Sequence, residues 1–292
     1  MTVVISADRT CDLTQDMLDA NDVKTIPYHI VLDEKEYLDN IDINLTQIFD
    51  AYEDHGSLPR TSAISPKEYR EHFTKLREEH GKDCEIVHIT LGSALTSSYE
   101  HCCEAAEELG GIYAVDSCTL SSATGLQVLD AVKMAKEGKS AKEIKDYLDE
   151  HKQCYHASFV VNTLEYLKAG GRCSSVAAVA AAAFNIKPSI VVDGYNHGAM
   201  TVGKKYRGKL EKVIKQYVHD KLEQYSDIDY SECMITSSAQ IEGIDDHKIV
   251  REILENETEF KTIYDTHASC TIGCHCGPGT IGILFRTKTN SL

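Results

Sequence analysis

The stretch Cys84-Glu-Ile-Val-His-Ile-Thr-Leu-Gly-Ser-Ala-Leu-Thr-Ser-Ser-Tyr99 carries the pattern from which the fold is read. Cys84 to Thr90 has the length and β-branched content of a buried strand, and Gly92-Ser93-Ala94 is a loop. Apolar residues then recur at helical spacing from Leu95 to Leu109, and the pair Gly110-Gly111 stops the helix. The unit repeats at once. Ile112 to Val115 is a second strand, Asp116-Ser-Cys-Thr119 a turn, and Leu120 to Glu137 a long helix ending at Gly138. Strands that alternate with helices point to right-handed crossovers and a parallel sheet.

Working outward, Thr2 to Ser6 is a β-branched run, and Thr14 caps an amphipathic segment through Ala20. Tyr28 to Leu32 with the polar residues after it reads as a hairpin, and Leu45 to Glu53 as a helix. Ser57 to Pro66 is a loop rich in turn formers and hydroxyls, closed by Ser65-Pro66, an N-cap and first-turn pair for a helix running toward Glu79. A helix from Ser140 to about Glu150 completes a first α/β domain, residues 1–155. The remainder, 156–292, reads as α+β: strands at Ser158–Val161, Lys187–Val192, Ala199–Val202, Met234–Ser237, Ile263–Thr266 and Thr280–Phe285, with helices through Lys168, over Val176–Phe184 and over Lys209–Gln224.

The formal charge of −16 opposes general binding to nucleic acid or to an anionic lipid surface. The longest apolar run, Val176 to Phe184, is about half of what a membrane-spanning helix needs, so no integral membrane segment is expected. Met1-Thr-Val-Val-Ile-Ser6 lacks the basic and apolar regions of a signal peptide, which predicts a cytoplasmic protein. Eleven cysteines, an odd number in a large chain without an export signal, are expected to be reduced thiols.

Three segments are candidates for chemistry. Thr61, Ser62 and Ser65 form one hydroxyl-rich group before a helix; Ser93, Thr96, Ser97 and Ser98 form another. At the carboxyl edge of an α/β sheet such groups, with helix N-termini behind them, favour an anionic head group; alternatively they cap helices. The third segment is Thr271-Ile-Gly-Cys-His-Cys-Gly-Pro-Gly-Thr-Ile-Gly-Ile-Leu-Phe285, read as a glycine-proline turn feeding an apolar strand, with His275 a fixed donor or base beside a ligand. The helix at Val176–Phe184 is apolar all round and rich in small residues, suited to a close-packed neighbour or to an alkyl chain.

Other chemistries fit less well. Cys270, Cys274 and Cys276, with His267 and His275, lie in one strand-like stretch rather than in two separated ligand pairs, so no metal site is assigned there. Neither a Lys-Ser/Thr phosphate loop nor Gly-x-Gly-x-x-Gly occurs after the first strand, and no cofactor is assigned. Ser93 and His275 could pair as nucleophile and base of an acyl ester hydrolase, but the Gly-x-Ser-x-Gly elbow is missing.

The order of seven motifs across the chain resembles the DegV family. They are Ser6-Ala-Asp-Arg-Thr-Cys-Asp-Leu13, Thr61-Ser-Ala-Ile-Ser65, Gly92-Ser-Ala-Leu-Thr-Ser-Ser-Tyr99, Gly170-Gly-Arg-Cys-Ser174, Asn185-Ile-Lys-Pro188, Lys204-Lys-Tyr-Arg207 and His275-Cys-Gly-Pro-Gly279. The family binds fatty acids and includes the FakB-type carrier subunits of bacterial fatty acid kinase. The resemblance implies a two-domain α/β protein with the ligand between its domains, not catalytic alone, that presents a long-chain fatty acid to a separate ATP-using kinase subunit. Residue by residue it implies carboxylate contacts from Thr61, Ser93 and His275, with Ser62 and Ser97 beside them, and partner docking at Arg207 and Arg172. A kinase-independent lipid sensor is the alternative within the family. The chain departs from the family at Ala63-Ile64, at Ala7 and Arg9, and at Ser97, which stands where glycine is usual and narrows the head-group pocket.

Overall fold

The structure is a computed structural model that describes residues 2–173, 175–177 and 186–290. Strands β1 (Val3–Asp8), β2 (Lys24–Ile26), β6 (Glu85–Thr90) and β7 (Ile112–Asp116) form a parallel sheet in the order β2-β1-β6-β7, as the repeated strand-helix unit predicts. A small antiparallel sheet, β4-β3-β5, comprises β3 (His29–Leu32), β4 (Lys35–Leu38) and β5 (Arg60–Ser62). The C-terminal half builds a six-stranded sheet, β10-β9-β8-β13-β11-β12, from β8 (Tyr155–Val160), β9 (Ile186–Asp193), β10 (Ala199–Arg207), β11 (Ile228–Ser237), β12 (Thr262–His267) and β13 (Ile281–Thr287). Its neighbours are antiparallel except β11 and β12.

Local rules account for most helices. Helix α1 (Gln15–Ala20) is capped by Thr14, whose hydroxyl accepts the Met17 N–H. Helix α2 (Leu45–His55) starts with an Asn44/Gln47 capping box, α3 (Pro66–His80) with Ser65/Glu68 and Pro66 in its first turn, and α6 (Ala141–His151) with Ser140/Glu143. Helix α4 (Ser98–Leu109) begins three residues later than its periodicity suggests, which leaves Leu95 to Ser97 in the loop. Helix α5 (Ser121–Lys136) is different in kind. It is buried nearly all round its first three turns because it packs on β1 and β6 on one side and on β8, β11 and β13 on the other. One apolar core therefore runs from Val4 and Ile86 through Leu126 to Phe159 and Leu284. Beyond the six-stranded sheet, α8 (Leu210–Gln224) and α9 (Asp246–Glu257) cover the outer face with a second core around Tyr217, Ile235 and Leu254.

Three expectations need correction. Ser57 to Pro66 is not a plain loop, since Arg60–Ser62 pairs with β3 as an edge strand. Helix α9 was not anticipated; Asp245 caps it through the Lys248 N–H. Most important, Cys270–Cys276 is a helix, α10, and not a strand-like run. Its free N–H groups are received by carboxylates far away in the chain. Asp39 accepts from Cys270 N at 2.7 Å and from Thr271 N at 3.0 Å, and Asp12 accepts from Ser269 N at 2.9 Å. Gly273 allows α10 to lie against α2, because a Cβ there would run into the Leu45 side chain. The helix expected at Val176–Phe184 lies largely outside the described residues. Among the described residues, no helix is long and apolar enough to cross a membrane.

Replacing Asp39 by alanine strands two buried N–H donors and removes the negative charge at the start of α10. We expect a loss on the order of 2–4 kcal/mol in urea unfolding, with an Asp39→Asn variant intermediate. A loss under about 0.5 kcal/mol would show that α10 does not depend on this carboxylate.

Candidate functional site

The C-terminal ends of β1 and β6 are held by one carboxylate. Asp8, fully buried, accepts from Tyr28 Oη, Tyr69 Oη, His88 Nε2 and Leu91 N at 2.8–3.1 Å. This places the loop from Leu91 to Ser97 beside β5 and under α10. Between them, and against α5 and β10, lies a cavity of about 240 Å³. Its polar wall carries Thr61 and Ser62 from β5, Thr96 and Ser97 before α4, and Arg172 and His275. The rest is mainly apolar: Leu91, Leu95, Leu120, Met200, Ile272 and Cys276. A smaller cavity shares Leu120, Ile272 and Cys276 and continues toward Phe159 of β8 and Leu284 of β13.

His275 stands in the last turn of α10, and its Nε2 lies 3.0 Å from Thr61 Oγ1. The opposite ring nitrogen, Nδ1, is buried without a partner and rests on Gly170, the last residue of α7 (Glu165–Gly170). A Cβ at residue 170 would land on Nδ1, far inside van der Waals contact. Burial, with a smaller push from the Arg172 cation in the same direction, lowers the His275 pKa to about 4. The imidazole is therefore neutral near pH 7. An unpaired N–H at Nδ1 is costlier than an unpaired lone pair, so the proton belongs on Nε2, which faces Thr61 and the cavity.

The structure brings Thr61, Ser62, Ser97 and His275 together around one space. Ser97 makes no side-chain cap on α4, and Ser65 caps α3, so one of the two hydroxyls is free for the cavity and the other is not. Ser93 is turned elsewhere. Its hydroxyl donates to Asp116 Oδ2 at 2.6 Å and its N–H to Asp116 Oδ1 at 3.0 Å, so it forms no pair with His275, as a serine hydrolase would need. Arg172 lines the cavity, where its Nη1 donates to Gly170 O at 2.8 Å. Arg207 sits exposed at the end of β10, seven residues beyond Met200, or roughly 23 Å at the rise of a strand.

Sequence reasoning missed Tyr28, Leu120, Met200, Thr271 and Ile272 as wall residues. Burial pushes the Asp12 carboxyl up to about 7, against the pull of the Ser121 hydroxyl and the Ser269 N–H.

The arrangement predicts a pH effect of definite sign. His275 has a folded pKa of about 4, below its ordinary 6.5, so the unfolded chain takes up the proton first as pH falls. Between pH 6.5 and 4 the wild type should lose stability relative to His275→Gln, by up to about 1.4 kcal/mol per pH unit. Parallel unfolding curves across that window would show that the ring is not held neutral. Gly170→Ala should shift the His275 ring resonances and destabilise by about 1–3 kcal/mol; unchanged resonances would contradict the close packing.

Comparison with known proteins agrees with the architecture. The family described as "uncharacterised protein, DegV family" matches residues 2–288. A DegV domain-containing protein of Clostridium acetobutylicum is 30% identical over 289 residues, covering 97% of this chain and 98% of that protein. Among solved structures, a DegV family protein from Thermus thermophilus, described for its fatty acid binding, superposes with a TM-score of 0.88 at 24% identity, covering 98% of this chain and 100% of that one. A fatty acid binding DegV family protein from Streptococcus agalactiae gives 0.84 at 21% identity, covering 99% and 100%. With the family match running almost from end to end, this chain belongs to the DegV family.

Proposed function

We propose that this protein binds a long-chain fatty acid between an N-terminal domain, residues 1–155, and a C-terminal domain, residues 156–292, and presents its carboxylate to a separate kinase subunit for acyl-phosphate formation. The observation that carries the reading is the amphipathic cavity. Donors line a space whose remaining walls are mainly apolar, and a smaller cavity that shares Leu120, Ile272 and Cys276 with it extends toward β8 and β13. A carboxylate there accepts from Nε2–H of His275 and from the hydroxyls of Thr61, Ser62 and Ser97, with Arg172 supplying positive charge. Burying a carboxylate without such donors would be prohibitive, whereas burying the chain contributes about 0.8 kcal/mol per methylene. The solved DegV neighbours described as fatty acid binding support the same ligand class.

Ser93 serves the site indirectly in this reading. Its two hydrogen bonds to Asp116 fix the loop that carries Leu95, Thr96 and Ser97. Arg207, exposed with Lys205 on β10 and away from the cavity, would meet an acidic surface on the partner in this reading. The phosphoryl donor and its binding site belong to that partner, and the cytoplasm is where the two would meet.

Native mass spectrometry of the purified protein, with solvent extraction of its lipid, tests the ligand class; a one-to-one fatty acid is expected. His275→Ala and Thr61→Ala should each weaken binding by about 1–3 kcal/mol, roughly 5- to 150-fold. A protein that stays empty and refuses added fatty acids would end the carrier reading. Coupling is tested apart from binding by trapping acyl phosphate as the hydroxamate in the presence of ATP and a fatty acid kinase subunit. Arg207→Glu should keep affinity and lose acyl-phosphate formation; if the variant supports full formation, Arg207 has no docking role.

A further inference from the structure

A second group of chemically apt side chains lies outside the cavity, where the end of β7 meets the turn between β9 and β10. Asp116 Oδ2 is 3.2 Å from His197 Nδ1, and Cys118 Sγ is 3.9 Å from the same nitrogen. Donor atoms of all three residues fall within 4.8 Å of one another. A zinc ion with bonds of about 2.0 Å to N and O and about 2.3 Å to S has tetrahedral edges of roughly 3.3 Å from N to O and roughly 3.6 Å from N to S. The two separations from His197 Nδ1 match those edges to within a few tenths of an ångström, and the carboxylate and thiol would close the third edge from within 4.8 Å.

Hydrogen bonding alone leaves part of this arrangement unexplained. A single ring nitrogen offers one proton or one lone pair, so Nδ1 cannot serve both the carboxylate and the thiol. The donors are also held in place beforehand. Asp116 Oδ1 accepts from Ser93 N and Cys118 N, both at 3.0 Å, and Ser93 Oγ donates to Oδ2, which sets the carboxylate plane. The His197 carbonyl accepts from Ala94 N at 3.0 Å, and a Cβ at Gly92 would come within 2.9 Å of that same oxygen. Such outer contacts are what orient metal ligands. The His197 side chain is 64% exposed, which leaves a water free to complete the coordination.

We propose that Asp116, Cys118 and His197 form a binding site for a single zinc-like divalent cation, with water as fourth ligand. One thiol, one imidazole and one carboxylate select a borderline-soft ion over magnesium or calcium. The ion would take Cys118 as its thiolate, so binding would release the thiol proton. The ion would clamp the parallel sheet to the β9–β10 turn beside the loop that Ser93 anchors. This site stands independently of the fatty acid reading.

The test uses the full chain stripped of metal with a chelator and titrated with Zn²⁺, and in parallel with Co²⁺ as a spectroscopic probe. One equivalent should bind with proton release and raise Tm, and Co²⁺ should give a thiolate charge-transfer band. Both responses should be lost in Cys118→Ser and in His197→Ala and kept in Cys274→Ser. If either variant fails to fold, the wild type still decides the matter by NMR, since among thirteen histidines Zn²⁺ should move His197 first. No saturable binding, a band that survives both variants, or a shift confined to other histidines would overturn the site.

Discussion

The candidate site depends on two carboxylates that lie more than two hundred residues from the helix they support. Asp12 and Asp39 receive the N–H groups at Ser269, Cys270 and Thr271, and so start a helix of seven residues. A helix that short gains little from its own hydrogen bonds, because nucleation is unfavourable and most of its termini are unpaired. External acceptors offset that cost. They also tie the C-terminal segment to the N-terminal half at one register, and register decides where His275 points.

Close packing then narrows the choice of orientation. Gly273 lets α10 rest on Leu45, Gly170 leaves room for the imidazole edge, and Gly277, at φ +78°, turns the chain beneath Tyr166 into β13. Three glycines thus act for one histidine. The ring is kept neutral by burial, so it enters hydrogen bonds as a dipole and not as a cation. Fixed positive charge at the cavity comes from Arg172. In a chain of net charge −16 the long-range field repels a carboxylate, and attraction must come from desolvated contacts at short range.

The same economy of contacts explains why the two large sheets share a core. Helix α5 is packed on both sides, so its sequence lacks the polar stripe of a surface helix, and its Ser122 meets Thr236 of β11. A cavity beside such a helix inherits walls from both halves of the chain. Leu120, at its start, and Ile272, in α10, belong to both cavities.

Much of this architecture is legible in the sequence because it rests on interactions within a few residues. Ser65-Pro66 with Glu68, Ser140 with Glu143, and the glycines at 110, 111 and 138 mark helix ends by local chemistry, and alternation of strand and helix yields the parallel sheet. The motifs also single out Thr61, Ser97 and His275 before any contact between them is known. What tertiary structure alone decides is the state of Cys270–Cys276, the commitment of Ser93 to Asp116, the placing of Arg172 in the cavity, and the meeting of Asp116, Cys118 and His197. In each case the partner lies tens to hundreds of residues away, as Thr61 does from His275 at a separation of 214. Periodicity and capping sense only the nearest turn of chain, so an energy supplied by such distant acceptors leaves no local trace.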